Sequence, residues 1–123
     1  MWLFILMRLY KIFEGEELKI AEKIQQRRLQ VLVHSYLYYK LDKPVISDSQ
    51  WDRWAKELVQ LQDKYPAIAE QVIYAEEFDG WDASTGAFFD YSGQIEQIAQ
   101  RLIHEPKKKE PVKKNNILKH KLF

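Results

Sequence analysis

The 123-residue chain has no cysteine, which excludes a disulfide framework and any thiolate metal site. A cysteine-free chain fits a cytosolic protein, and a cytoplasmic location is the expectation. Histidine is scarce: His34, His104 and His120 are too scattered to ligate one ion, so no metal site is expected. Asp48 and Asp52, four residues apart, would hold a divalent cation only weakly as an isolated pair. The glycines between Gly80 and Gly86 lack the spacing of a phosphate-binding loop.

Long apolar runs are also missing. The strongest, MWLFILMRLYKIF at residues 1–13, falls short of the ~20 apolar residues that a bilayer span requires, and Arg8 interrupts it. Basic residues do not precede it and small residues do not follow it, as a secretory signal would need. The run is read as a short strand or helix end packed on the core, with Met7 as an alternative start to Met1 and no membrane association expected.

What the chain does have is globular composition, 46% hydrophobic and 14% aromatic, in a length that suits one domain. The net charge of +1 conceals a division. From His104 onward seven Lys face two Glu, a formal +5, while the preceding residues carry 12 basic and 16 acidic side chains, a formal −4. A mildly acidic body of residues 1–104 with a basic, flexible tail over 105–123 is the expected organisation.

The periodicity predicts a mainly α fold. Ile20, Ile24, Leu29, Leu32, Val33, Tyr36 and Leu37 recur at three- and four-residue steps, giving a helix over about 16–41 that Pro44 ends. Ser47 and Gln50 have capping-box spacing and open a second helix, about 47–65. Its buried face would be Trp51, Trp54, Ala55, Leu58, Leu61 and Tyr65, and Pro66 stops it. The short connection makes the pair a helical hairpin. Val72-Ile73-Tyr74 reads as a short strand or one helical turn. The stretch from Phe78 to Gly86 has turn chemistry and reads as an ordered loop displaying its aromatics. A short C-terminal helix over 93–104 follows, capped by Ser92, with Ile95, Ile98, Ala99 and Leu102 on one face.

The chemically informative segment runs from His34 to Asp52. Tyr38 and Tyr39 fall in the last turn of the first helix, with His34 one turn below Tyr38. Asp48, Trp51 and Asp52 share a face at the start of the second. The hairpin loop brings both sets together as an aromatic and carboxylate pocket suited to a flat cationic ring, whose charge the carboxylates balance. The same spacing also fits plain packing. Trp51 is in step with Leu58, acidic residues favour a first helical turn without any ligand, and Tyr pairs often pack with a wet hydroxyl.

The run from Tyr36 to Arg53, with Glu57-Leu58 and Lys64-Tyr65-Pro66, resembles the N-terminal domain of bacterial NAD-dependent DNA ligases over roughly Ile20 to Pro66. The resemblance implies a helical hairpin with supporting helices that closes over the nicotinamide mononucleotide half of NAD. It implies cofactor contacts by Tyr38 and Tyr39 on the first helix and by Asp48, Trp51 and Asp52 on the second. The family has Tyr where this chain has Trp51, so the phenolic hydrogen bond is lost or replaced by the indole N–H. The Lys-x-Asp-Gly nucleophile motif of the ligase is missing. The similar string Glu77-Phe78-Asp79-Gly80 puts a carboxylate where an amine nucleophile is required.

The expectation is therefore a stand-alone ligase-N-terminal-like module that binds NAD or nicotinamide mononucleotide without catalysing ligation. One alternative is a phage or mobile-element factor that reuses the hairpin to bind a protein partner in nucleic-acid or NAD metabolism. Another is an accessory nucleic-acid-associated protein acting through weak phosphate contacts of Lys107, Lys108, Lys109, Lys113 and Lys114.

Overall fold

The computed structural model describes residues 13–104. The tail lysines and residues 1–12 lie outside the described residues, and with them the readings placed on them. Four helices make up the fold: α1 (Gly15–Tyr39), α2 (Asp48–Lys64), α3 (Pro66–Ala69) and α4 (Gly93–His104). Among the described residues there is no strand, and no helix is long and apolar enough to cross a membrane.

Helix α1 is the centre of the fold. From Arg28 to Ser35 every residue is buried, so here the helix is enclosed on all sides instead of showing one apolar stripe. Helices α2 and α4 pack against it and are amphipathic, burying Ala55 and Leu58 on one and Ile95 and Ala99 on the other. The hairpin is antiparallel, since Ser35 meets Trp51 at one end while Arg28 meets Gln62 at the other. Beside Arg28, Arg27 clasps Glu57 at 2.7 Å, bonds Gln30 and lies 5.7 Å from the Trp54 ring centre.

The first helix ends at Tyr39, two residues before the expected limit, and Pro44 is not what stops it. The N–H groups of Leu41 and Lys43 turn back to the carbonyls of Tyr36 and Leu37 at 3.2 and 2.8 Å. Asp42 takes the left-handed conformation, φ 55°, that permits this wrap and that Asp tolerates better than most residues. At the start of α2, Ser47 Oγ accepts the Gln50 N–H at 3.1 Å as the spacing predicts. The reciprocal half of the capping box does not form, because the Gln50 side chain accepts from Arg53 instead. Pro66 occupies the first turn of α3, where its missing N–H is harmless.

Val72-Ile73-Tyr74 forms turns, neither the strand nor the helical turn that the sequence suggests. The reason is Arg28. Its buried guanidinium donates to the carbonyls of Val72 and Ile73 at 2.9 and 3.1 Å and to Gln62 Oε1 at 2.7 Å. It also lies 5.6 Å from the Phe78 ring centre. Burial among neutral acceptors lowers the Arg28 pKa to about 10, which leaves it cationic at neutral pH. Tyr74 has a positive φ of 71°. Its hydroxyl donates to Gln94 at 2.6 Å and meets Ser92 Oγ at 2.7 Å, while Ser92 also caps α4 through the Ile95 N–H.

The loop after α3 is ordered, as expected, but most of its aromatics are not on display. Phe78 and Phe89 are buried, and Trp81 and Tyr91 are partly buried. Phe78 packs on Trp81 and Phe89 with ring centres 5.0 and 4.9 Å apart, and Tyr91 meets Tyr36 of α1 edge-on at 5.2 Å. Phe88 alone among them is open, 89% exposed. Without helical or strand periodicity, sequence spacing does not distinguish which loop aromatics point inward.

Candidate functional site

The left-handed wrap at Asp42 leaves Tyr38 and Tyr39 at the open end of α1, 50% and 44% exposed. Their rings meet edge-to-face, 4.7 Å apart at 87°. Across the hairpin, the first turn of α2 presents Asp48, Trp51 and Asp52. These five side chains line one open cavity of about 520 Å³, within the size range of small-molecule sites. His34 forms part of its floor, buried and tilted against Trp54 at 5.7 Å.

The fate of the Trp51 indole is specific. Its N–H donates to Ser35 Oγ on α1 at 3.0 Å, so the indole donor that stands where the resemblance expects a phenol is engaged within the protein. What Trp51 offers the cavity is a ring, held at a fixed angle to α1. Asp52 pairs with Lys56 one turn on at 2.8 Å, both partners largely in solvent, where such a pair contributes little to stability. No lysine or arginine lines the cavity among the described residues. The site's fixed charges are the two carboxylates.

A third wall comes from the loop. Ser84 and Thr85 also line the cavity, and sequence reasoning missed both, together with Ser35 and Gly86. The loop is pinned from several directions. The Trp81 indole donates to Thr85 O at 2.8 Å and the Tyr91 hydroxyl donates to Gly86 O at 2.9 Å. Burial raises the Tyr91 pKa well beyond the ordinary tyrosine range, so this donor keeps its proton. Asp82 accepts the Ser84 N–H at 2.9 Å; the Ser84 hydroxyl and then its N–H hold that exposed carboxyl below its usual pKa. Gly86 is buried so tightly that a Cβ there would run into Ser35. The string Asp82-Ala-Ser-Thr-Gly86 signalled a turn in the sequence. Nothing local indicated that the turn would land on Ser35 and Trp51.

Among the described residues no group of three or more histidine or carboxylate side chains is placed to hold a metal ion. The arrangement can present aromatic faces, two carboxylates and several hydroxyls to a flat, cationic, hydroxyl-bearing ligand.

Residues 17–71 match the family described as DNA ligase-like, N-terminal NAD+-binding domain. A DNA ligase of Fervidobacterium nodosum is 40% identical over 50 residues, covering 41% of this chain and 7% of that protein. DNA ligases of Pelotomaculum thermopropionicum and Syntrophobacter fumaroxidans are 43% and 44% identical over 50 residues, with the same coverage. The chain thus spans a small part of these curated relatives, and the match does not reach their remaining length. No solved structure matches. Helix α1 from its first turn, the hairpin and α3 all fall within the matched stretch, whereas Ser84, Thr85 and Gly86 lie beyond it. Residues 17–71 are thus similar to a DNA ligase-like, N-terminal NAD+-binding domain, the resemblance that the hairpin motif carries.

Proposed function

We propose that the cavity at the open end of the α1–α2 hairpin binds the nicotinamide mononucleotide part of NAD, and that this chain is a ligand-holding module without ligase catalysis of its own. One observation carries the reading: Tyr38, Tyr39, Asp48, Trp51 and Asp52 converge on a single cavity inside the stretch that matches an NAD+-binding family. The chemistry of the wall suits the ligand. Aromatic faces attract the cationic pyridinium ring, and Asp48 and Asp52 supply opposite charge or accept ribose hydroxyls. No lysine or arginine among the described lining is placed to pair with the nucleotide phosphate.

Calorimetric titration of the chain with NAD and with nicotinamide mononucleotide tests this. Binding is expected with both, and nicotinamide riboside should bind within a few-fold of the mononucleotide, because no lysine or arginine of the described lining pairs with the phosphate. A Tyr38→Ala, Asp48→Ala double variant should lose most of the affinity. No heat at millimolar ligand, or equal binding by the folded double variant, would refute the proposal.

A further inference from the structure

We infer that Thr85, beyond the family-matched stretch, is a positioning residue that completes the ligand site by holding the Tyr39 ring; the inference rests on the nicotinamide-binding reading above. Tyr39 is the last residue of α1 and nearly half exposed, so packing alone restrains its side chain little. Such a side chain samples several rotamers unless something engages its far end. The Tyr39 hydroxyl is engaged, by Thr85 Oγ1 at 3.2 Å. That contact sets the Tyr39 plane and, through the edge-to-face pair with Tyr38, the shape of the aromatic wall.

Thr85 suits the task because it is itself immobilised. Its carbonyl receives the Trp81 indole N–H and its hydroxyl oxygen accepts the Ala87 N–H at 3.1 Å. A threonine hydroxyl has one donor and two acceptor positions. With one acceptor position taken by Ala87, the remaining donor and acceptor capacity is directed at Tyr39. Trp81 in turn lies edge-on to Trp51, ring centres 6.2 Å apart, so one loop braces the aromatic residues of both helices. The matched stretch ends at residue 71, so this brace is a feature of the chain's own later segment.

The test uses the full chain and nicotinamide mononucleotide as probe, with affinities from calorimetry and the Tyr39 ring signals followed by NMR of tyrosine-labelled protein. Thr85→Val removes the hydroxyl with little change of shape, and binding about fivefold weaker is expected, the worth of one ordinary hydrogen bond. Thr85→Ser should restore wild-type affinity to within a factor of about two, because the hydroxyl is what matters. In a Tyr39→Phe background Thr85→Val should have no further effect, an outcome that general loosening of the loop would not produce. Wild-type affinity in Thr85→Val, or an equal loss in both backgrounds, overturns the inference. If the unmodified chain gives no heat, the nucleotide reading fails, and the ring signals then decide whether Thr85 holds Tyr39. A Tyr39 shift in Thr85→Val that is absent in Thr85→Ser supports the positioning contact, and unchanged signals refute it.

Discussion

Replacing Gly86 with alanine probes whether the loop is an integral wall of the site. Gly86 does not have a positive φ, so alanine meets no backbone strain there, and by itself the change should stabilise by roughly 0.5 kcal/mol through the unfolded chain. The cost is steric. The new Cβ would lie 2.9 Å from Ser35 Cβ and 3.3 Å from Trp51 Cζ2, and closer still to Ser35 Oγ. Rotating the Ser35 hydroxyl away relieves only the last contact and breaks the 3.0 Å bond from the Trp51 indole, a loss of about 1 kcal/mol. The Ser35 Cβ sits on the buried central helix and has nowhere to go. Overpacking of this kind costs roughly 1–3 kcal/mol, so the net destabilisation should be about 2 kcal/mol. For a domain of this size that lowers Tm by roughly 10 °C. Urea unfolding of Gly86→Ala in wild-type and Ser35→Ala backgrounds measures it. In the Ser35→Ala background, where the hydroxyl and its bond are already gone, the cost should shrink by about 1 kcal/mol. A cost below about 0.5 kcal/mol, or the same cost in both backgrounds, would show that the loop does not pack on Ser35.

Two further outcomes follow from the buried polar residues of α1. Arg28→Met keeps the volume but strands the Val72 and Ile73 carbonyls and the Gln62 amide oxygen, which Arg28 satisfies. A loss of about 3 kcal/mol is expected in chemical denaturation. Arg28→Lys should recover little of it, since an ammonium cannot reproduce the guanidinium fork; near-wild-type stability of either variant would contradict the account. Gln25 is fully buried, and neither of its side-chain amide atoms has a hydrogen-bond partner among the described residues. Gln25→Met should therefore stabilise by about 1 kcal/mol, and a lower Tm would show that the amide has a partner.

The hairpin and its pocket were legible because both depend on local rules. The three- and four-residue recurrence along α1 and α2, the Ser47 cap and the short connection leave one antiparallel arrangement, and that arrangement places Tyr38 and Tyr39 opposite Asp48, Trp51 and Asp52. Periodicity marked the helix faces but did not show that α1 would be enclosed all round, which depends on α4 arriving from residues 93–104 to pack on it. Nor did it show where α1 would stop, because the wrap at Asp42 is a choice between two backbone conformations that an apolar pattern does not encode.

By itself, then, the sequence determined a mainly α chain, the two long helices and the five residues facing one another across the hairpin, since helix faces follow from spacing alone. Only the tertiary structure decided the third wall. Thr85 reaches Tyr39 across 46 residues and Gly86 reaches Ser35 across 51, through a loop with no repeat to read. The position of that loop is set by its burial of Phe78 and Phe89 and by the Arg28 bonds to the turn before it. Long-range contacts of this kind are settled by which surfaces fit once the helices have packed, and no local spacing records that fit.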